Sequence, residues 1–181
     1  MAVITIDGTR LEVPENKNVL ECALEAGIYI PHLCHHPDLP ENGSCRMCIV
    51  EGVTTSCTLR AQDGMVVHTT SERINKLRTL ALELLLAGHP EDCSTCPKYG
   101  NCELQTLIQY IGANNARMRT RIKGIKMEEG NPLLIHDMNR CVLCGRCVRA
   151  CNKLRGVGVL QYNKKDLETY VGTLHGKLLK D

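Results

Sequence analysis

Apolar and polar positions alternate in two short runs near the start of the chain: Ile4 and Ile6 flank Thr5, and Leu11 and Val13 flank Glu12. The runs meet at Asp7-Gly8, a pair suited to a tight turn, so the chain is expected to open with a β-hairpin. The period then lengthens. Residues 19–26 read as a short helix ended by Gly27, with Leu20, Ala23 and Leu24 on one face beside Cys22. Cys22 has apolar neighbours and belongs to no ligand spacing, so it is expected as a buried core thiol. Strand-like runs follow at 47–50, 53–59 and 65–69, separated by Gly52 and Asp63-Gly64. Hairpin, helix, then strands describe an α+β domain.

Beyond Thr70 the period becomes helical. Ile74, Leu77, Leu80, Ala81, Leu84 and Leu85 recur at that spacing, with Ser71 as the N-cap and Gly88 closing the helix. A second helical run uses Leu104, Leu107, Ile108 and Ile111 and ends at Gly112. Residues 113–132 are polar, basic and weakly periodic, the pattern of a connection, and another unit starts near Ile135. Three units are expected, over residues 1–70, 71–132 and 133–181.

Composition changes the picture chiefly through twelve cysteines in 181 residues. Residues 1–10 show no basic flank followed by an apolar run and cleavage site, so an exported disulfide scaffold is not expected. Tight groups with two-residue gaps suit thiolates converging on metal in a reducing cytoplasm. The most apolar stretch, 80–87, contains Glu83 and is far shorter than the roughly 20 residues a spanning helix needs, so no membrane insertion is expected. Trp and Phe are absent and aromatics make up 3% of the chain, which leaves a modest aliphatic core that cluster ligation would supplement. A net charge of +2 gives no strong steer toward nucleic acid. Arg117, Arg119, Arg121, Lys123 and Lys126 form a local basic run that reads as a solvated face or a dock for an acidic partner subunit; without interleaved aromatics, nucleic acid is not expected.

Three constellations carry chemistry. Cys34, Cys45, Cys48 and Cys57 suit a two-iron cluster on a loop whose Gly43 lets backbone amides approach the inorganic sulfides; a structural zinc ion is the rival reading. His89, Cys93, Cys96 and Cys102 form a second set, with Pro90 and Pro97 stiffening the turns between donors. A histidine just past a helix C-terminus can also serve as a dipole partner, and one His with three Cys is a zinc set as well. Cys141, Cys144, Cys147 and Cys151, with gaps of two, two and three residues, match the bacterial ferredoxin run. In that run the fourth cysteine ligates another cluster while a remote cysteine completes the first. No cysteine follows Cys151, so the 181 residues are expected to be a truncated form. Cys141, Cys144 and Cys147 then grip one four-iron cluster and Cys151 faces another; the alternative is Cys151 as fourth ligand of the same cluster. Gly156-Val157-Gly158 follows a cysteine-bearing helix and not a strand, so the chain is not expected to bind NAD(H) itself.

The order of these groups, with the stretches CHHPDLPENGSCRMCIVEG, GMVVHTTSERINKLRTLALELLLAGHPEDCSTC, GNCELQ and HDMNRCVLCGRCVRAC, resembles the N-terminal part of the complex I large iron-sulfur subunit. The same module is similar to the N-terminal region of NAD-linked iron-only hydrogenases. It is similar too to the diaphorase iron-sulfur subunits of NAD-reducing hydrogenases and formate dehydrogenases. The resemblance implies a β-grasp, plant-type ferredoxin domain holding one 2Fe-2S cluster on Cys34, Cys45, Cys48 and Cys57. It then implies a small helical domain holding a 4Fe-4S cluster on His89, Cys93, Cys96 and Cys102, and a partial bacterial-ferredoxin-like unit holding a second 4Fe-4S cluster, with a third in an intact longer chain.

Electron relay without bond chemistry follows as the implied function, with no catalytic residue in the chain. The implied partners are a flavin- and NAD(P)(H)-binding subunit, a small 2Fe-2S subunit and a terminal redox subunit such as a hydrogenase or formate dehydrogenase. The rival readings are the opening of a longer catalytic chain such as an iron-only hydrogenase, and a zinc-binding adaptor.

Overall fold

The strands β1 (Ala2–Ile6) and β2 (Thr9–Val13) pair antiparallel, with Ile4 opposite Leu11, and the turn between them places Asp7 and Gly8 in the left-handed region at φ of 46° and 83°. The strands belong to a computed structural model that describes residues 1–113, 123–127, 136–164 and 168–174. Helix α1 (Val19–Glu25) follows, its N-cap Asn18 accepting from the Glu21 amide at 2.9 Å. Strands β3 (Ile49–Val50) and β4 (Thr54–Thr55) form a small hairpin. Strand β5 (Val66–Val67) returns to lie parallel to β1, giving the sheet order β2-β1-β5. Two side-chain clamps reinforce that return. Asp63 accepts from the Val3 amide at 2.8 Å, and Asp7 accepts from the amide and hydroxyl of Thr69.

Ala2, Ile4 and Ile6 point inward from β1 and pack with Val19, Leu20, Cys22 and Ala23 of α1. Cys22 is thus the core thiol expected, and Cys48 and Cys57 join the same cluster. The strands expected over 47–50, 53–59 and 65–69 shorten to two residues each. Backbone groups that a longer β4 would spend on pairing go elsewhere: the amides of Thr58 and Leu59 return to the Thr55 carbonyl, while the carbonyls of Ser56 and Leu59 accept from Leu20 and Val19.

Helix α2 (Glu72–Leu86) begins as expected, with the Ser71 hydroxyl accepting from the Ile74 amide at 3.2 Å. Its buried face differs from the expected one. Leu80 and Leu84 are exposed, and the buried stripe runs Ile74, Arg78, Leu82, one residue every four. Helix α3 (Glu103–Ile111) buries Leu104 and Leu107 and ends at Gly112.

By internal packing the chain divides within α2, between Leu82 and Glu83. One unit holds β1–β5, α1, α3 and α2 as far as Leu82; the other holds Asp38–Pro40, Glu83–Cys102 and the described residues from 123 onward. In the latter, single 3-10 turns at Cys93–Thr95 and Met138–Arg140 precede the short helix α4 (Arg146–Arg149), a π-helical turn (Ala150–Leu154) and the antiparallel strands β6 (Leu160–Asn163) and β7 (Tyr170–Thr173). These last strands were not anticipated. Arg117, Arg119 and Arg121 of the basic run, much of the expected connection, and Ile135 lie outside the described residues. Among the described residues no helix is long and apolar enough to cross a membrane.

Candidate metal centres

All twelve cysteines are free. Four of them meet in the first unit. Cys34, Cys48 and Cys57 are each 1% exposed and Cys45 is 7% exposed, and their thiols form a continuous hydrogen-bonded set in which Cys34 meets Cys45 and Cys57 while Cys57 meets Cys48. The consequence is an alternation of charge. Hydrogen bonds from Cys45 and Cys57 hold Cys34 far below the usual thiol range, and Cys57 lowers Cys48 to about 7. Cys45 and Cys57, the donors in those bonds, are pushed correspondingly up, with burial adding to the effect.

Short local devices bring the four together. Arg46 adopts a left-handed φ of 58° between Cys45 and Cys48, and the Cys48 carbonyl accepts from the Ser56 amide at 2.9 Å, which ties the pair to the segment bearing Cys57. Gly43 is also left-handed, and a Cβ there would meet Thr55 Oγ1 at 3.2 Å and Thr58 Cγ2 at 3.3 Å, so the loop folds closely over β4. The Ser56 hydroxyl is fully buried without a hydrogen-bond partner among the described residues. It ranks among the groups that favour the Cys48 thiolate. Four buried sulfurs beneath a tightly folded glycine loop form a donor set that could hold an iron-sulfur cluster.

His89, Cys93, Cys96 and Cys102 are placed in the second unit and are all partly buried. The His89 amide donates to the Leu86 carbonyl at 3.1 Å, and ring Nδ1 donates to the Pro90 carbonyl at 2.9 Å. Burial is the main cause that lowers the pKa of this imidazole, opposed by the carbonyls of Pro90 and Arg140. A neutral ring with Nδ1–H engaged leaves Nε2 as the nitrogen that could coordinate. In this group and in the other two alike, no three Cys, His, Asp or Glu side chains among the described residues are arranged to hold a single metal ion.

Cys141, Cys144 and Cys147 lie around the loop that enters α4, where Leu143 at φ 55° and Gly145 at φ 70° turn the chain between ligands. The Leu143 amide donates to Cys141 Sγ at 3.4 Å. Burial raises the thiols of Cys141 and Cys147; on Cys141 the Leu143 amide and then Lys123 oppose it before the charge of Cys144 adds a smaller rise, whereas on Cys147 the charges of Cys141 and Cys144 follow burial directly. The same three thiols raise Tyr162, after burial. Cys151 sits in the π turn, its carbonyl accepting from the amides of Val157 and Gly158.

One residue that sequence reasoning missed ties the second group to the third. Arg140, next to Cys141, pairs in fork geometry with Asp92, next to Cys93, at 3.0 and 2.6 Å. It also reaches Asp137 at 3.3 Å and the Cys96 thiol. Forty-eight residues separate the partners, so no local pattern announces the pair. Lys123, from the basic run, is half-buried and donates to the Cys141 carbonyl at 2.9 Å.

Three family models match in chain order. A 2Fe-2S iron-sulfur cluster binding domain covers residues 1–72, the NADH-ubiquinone oxidoreductase-G iron-sulfur binding region covers 78–117, and the NADH-quinone oxidoreductase subunit 3 ferredoxin-like domain covers 131–181. The chain is 39% identical to a G-type subunit of the NADH-quinone oxidoreductase of Rhizobium meliloti over 98% of its own length and 22% of that protein. It is 38% identical to the mitochondrial NADH-ubiquinone oxidoreductase 78 kDa subunit of Candida albicans over 84% of its length, again 22% of the relative. The chain thus spans about a fifth of these relatives. Among solved structures, a chain of an NAD+-reducing NiFe-hydrogenase in the H2-reduced state superposes with a TM-score of 0.88 at 36% identity, covering 94% of this chain and 74% of that one.

Proposed function

Because the chain belongs to the family of the complex I large iron-sulfur subunit and its counterpart in NAD-reducing hydrogenases, we propose that it relays single electrons between a flavin- and NAD(P)(H)-binding subunit and a terminal redox subunit, beside a small 2Fe-2S subunit. The observation that carries this reading is the hydrogen-bonded set of four buried thiols within the segment matched by the 2Fe-2S domain. When bound, such clusters take up and release one electron at a time without making or breaking substrate bonds.

The chain's own residues would hold one 2Fe-2S cluster on Cys34, Cys45, Cys48 and Cys57, and two 4Fe-4S clusters. One of these would sit on His89, Cys93, Cys96 and Cys102, the other on Cys141, Cys144 and Cys147. Three domains over 1–70, 71–132 and 133–181 suit the three family segments. A β-grasp arrangement of the first is supported by the β1–β2 hairpin, α1, and β5 returning parallel beside β1. Free thiols throughout suit a reducing compartment such as the cytoplasm. On this reading the chain's work is to hold, space and electrostatically tune its clusters.

The purified chain is expected to contain iron and acid-labile sulfide, and dithionite reduction should give at least two distinct paramagnetic signals, one of two-iron type. For a plant-type environment that centre should titrate near roughly −400 mV. Stoichiometric zinc without sulfide would overturn the reading. His89→Cys should keep the second group's cluster and lower its midpoint potential, since a thiolate adds negative charge where a neutral ring had none. An unchanged potential in a redox titration would remove His89 from the ligand set.

A further inference from the structure

Arg78 stands in the middle of the buried stripe of α2, between Ile74 and Leu82, and is only 3% exposed. A guanidinium taken out of water costs several kcal/mol unless an opposite charge compensates it. Its Nε donates to the Met47 carbonyl at 3.0 Å and an Nη donates to the Ile49 carbonyl at 2.6 Å. Those two carbonyls flank Cys48. They satisfy donors, but as neutral dipoles they do not cancel the charge. Among the described residues no carboxylate forms an ion pair with Arg78. The groups that favour its charged form are Tyr110, Cys48 and Asp7. Tyr110 contributes a phenol, not a carboxylate. Asp7 is already engaged by Thr69. Cys48 remains, together with whatever negative charge assembles on it.

We propose that Arg78 is a positioning residue and the built-in counter-charge of the first thiol group: it fixes the 47–49 segment through two carbonyls and raises the reduction potential of the cluster held there. The inference rests on the reading of Cys34, Cys45, Cys48 and Cys57 as two-iron ligands. A cluster on four thiolates is anionic, and reduction adds one more negative charge, so a fixed cation in a site of low dielectric favours the reduced form.

The test is a potentiometric titration, followed by the two-iron paramagnetic signal, on the intact native chain and on Arg78→Gln and Arg78→Lys. Glutamine keeps an amide donor and loses the charge. Lysine keeps the charge but reaches the carbonyls with a single ammonium in place of a planar fork. The midpoint should fall in both, by at least tenfold in the reduced-to-oxidised ratio at fixed potential for glutamine, about 59 mV for a one-electron couple, and by less for lysine. Should the glutamine chain not fold, the lysine chain decides alone. An unchanged potential in either variant, a larger fall in lysine than in glutamine, or loss of the two-iron centre from both while the four-iron signals persist would each overturn the counter-charge role. Absence of a two-iron signal in the unmodified chain would instead refute the ligand reading beneath it.

Discussion

A Cys48→Ala chain is expected to lose its two-iron signal completely while retaining both four-iron signals. Cys48 is 1% exposed, its thiol is hydrogen-bonded to Cys57, and its carbonyl is tied to the Ser56 amide, so no neighbouring group can move in to replace it. The other two cysteine groups lie in the second unit and share no residue with this one. The loss should also be felt in stability. With the anionic centre gone, Arg78 keeps its two carbonyls and loses its compensation, and breaking a buried charge pair from one side costs about 3–5 kcal/mol. Denaturant unfolding of the intact chain, followed by backbone circular dichroism, should show the first unit unfolding earlier by about that amount. Retention of the two-iron signal would exclude Cys48 as a ligand, and loss of the signal with unchanged stability would separate ligation from folding.

Replacing Cys151 by serine in the intact native protein should leave the cluster on Cys141, Cys144 and Cys147 in place and abolish only a neighbouring one, whereas Cys144→Ala should remove it. The mutual charge effects among the thiols run between Cys141, Cys144 and Cys147, and the same three act on Tyr162. Cys151 is carried past α4 into the π turn. Its carbonyl is committed to Val157 and Gly158, which fixes the backbone there independently of the cysteine loop. Iron counting and signal integration on the two variants decide the matter. Loss of the Cys141, Cys144 and Cys147 cluster in the serine variant would make Cys151 its fourth ligand.

The opening hairpin, α1 and the Ser71 cap were legible because each rests on contacts between residues near in sequence: Asp7-Gly8 for the turn, Asn18 and Gly27 around the helix, Ser71 to Ile74. The grouping of the cysteines was legible for the same reason, since two-residue gaps are local. What sequence reading missed depended on distant partners. The inward face of α2 was expected along Ile74, Leu77, Leu80, Ala81, Leu84 and Leu85; Ile74 is buried, but Leu80 and Leu84 are exposed and burial continues through Arg78 and Leu82. An arginine at four-residue spacing from Ile74 and Leu82 was the available signal. The Arg140–Asp92 pair had no such signal. Strand β7 was hidden by Gly172, which reads as a breaker, yet a Cβ there would meet Asn163 Nδ2 at 2.8 Å and the Tyr170 ring at 2.9 Å, so glycine is required by its neighbours and not by a turn.

The parallel pairing of β1 with β5 sets an order of events during synthesis. Ile6 waits for Val67, and all four cysteines of the first group, from 34 to 57, lie inside the loop that this pairing closes. About 33 residues separate Cys34 from Val67, on the order of 2–7 s of translation at about 5–20 residues per second. During that interval the nascent chain presents reduced thiols with no sheet around them. They are open to oxidation and to competing soft metals, so the cell must deliver iron and sulfide after the fifth strand has emerged or shield the cysteines until it does.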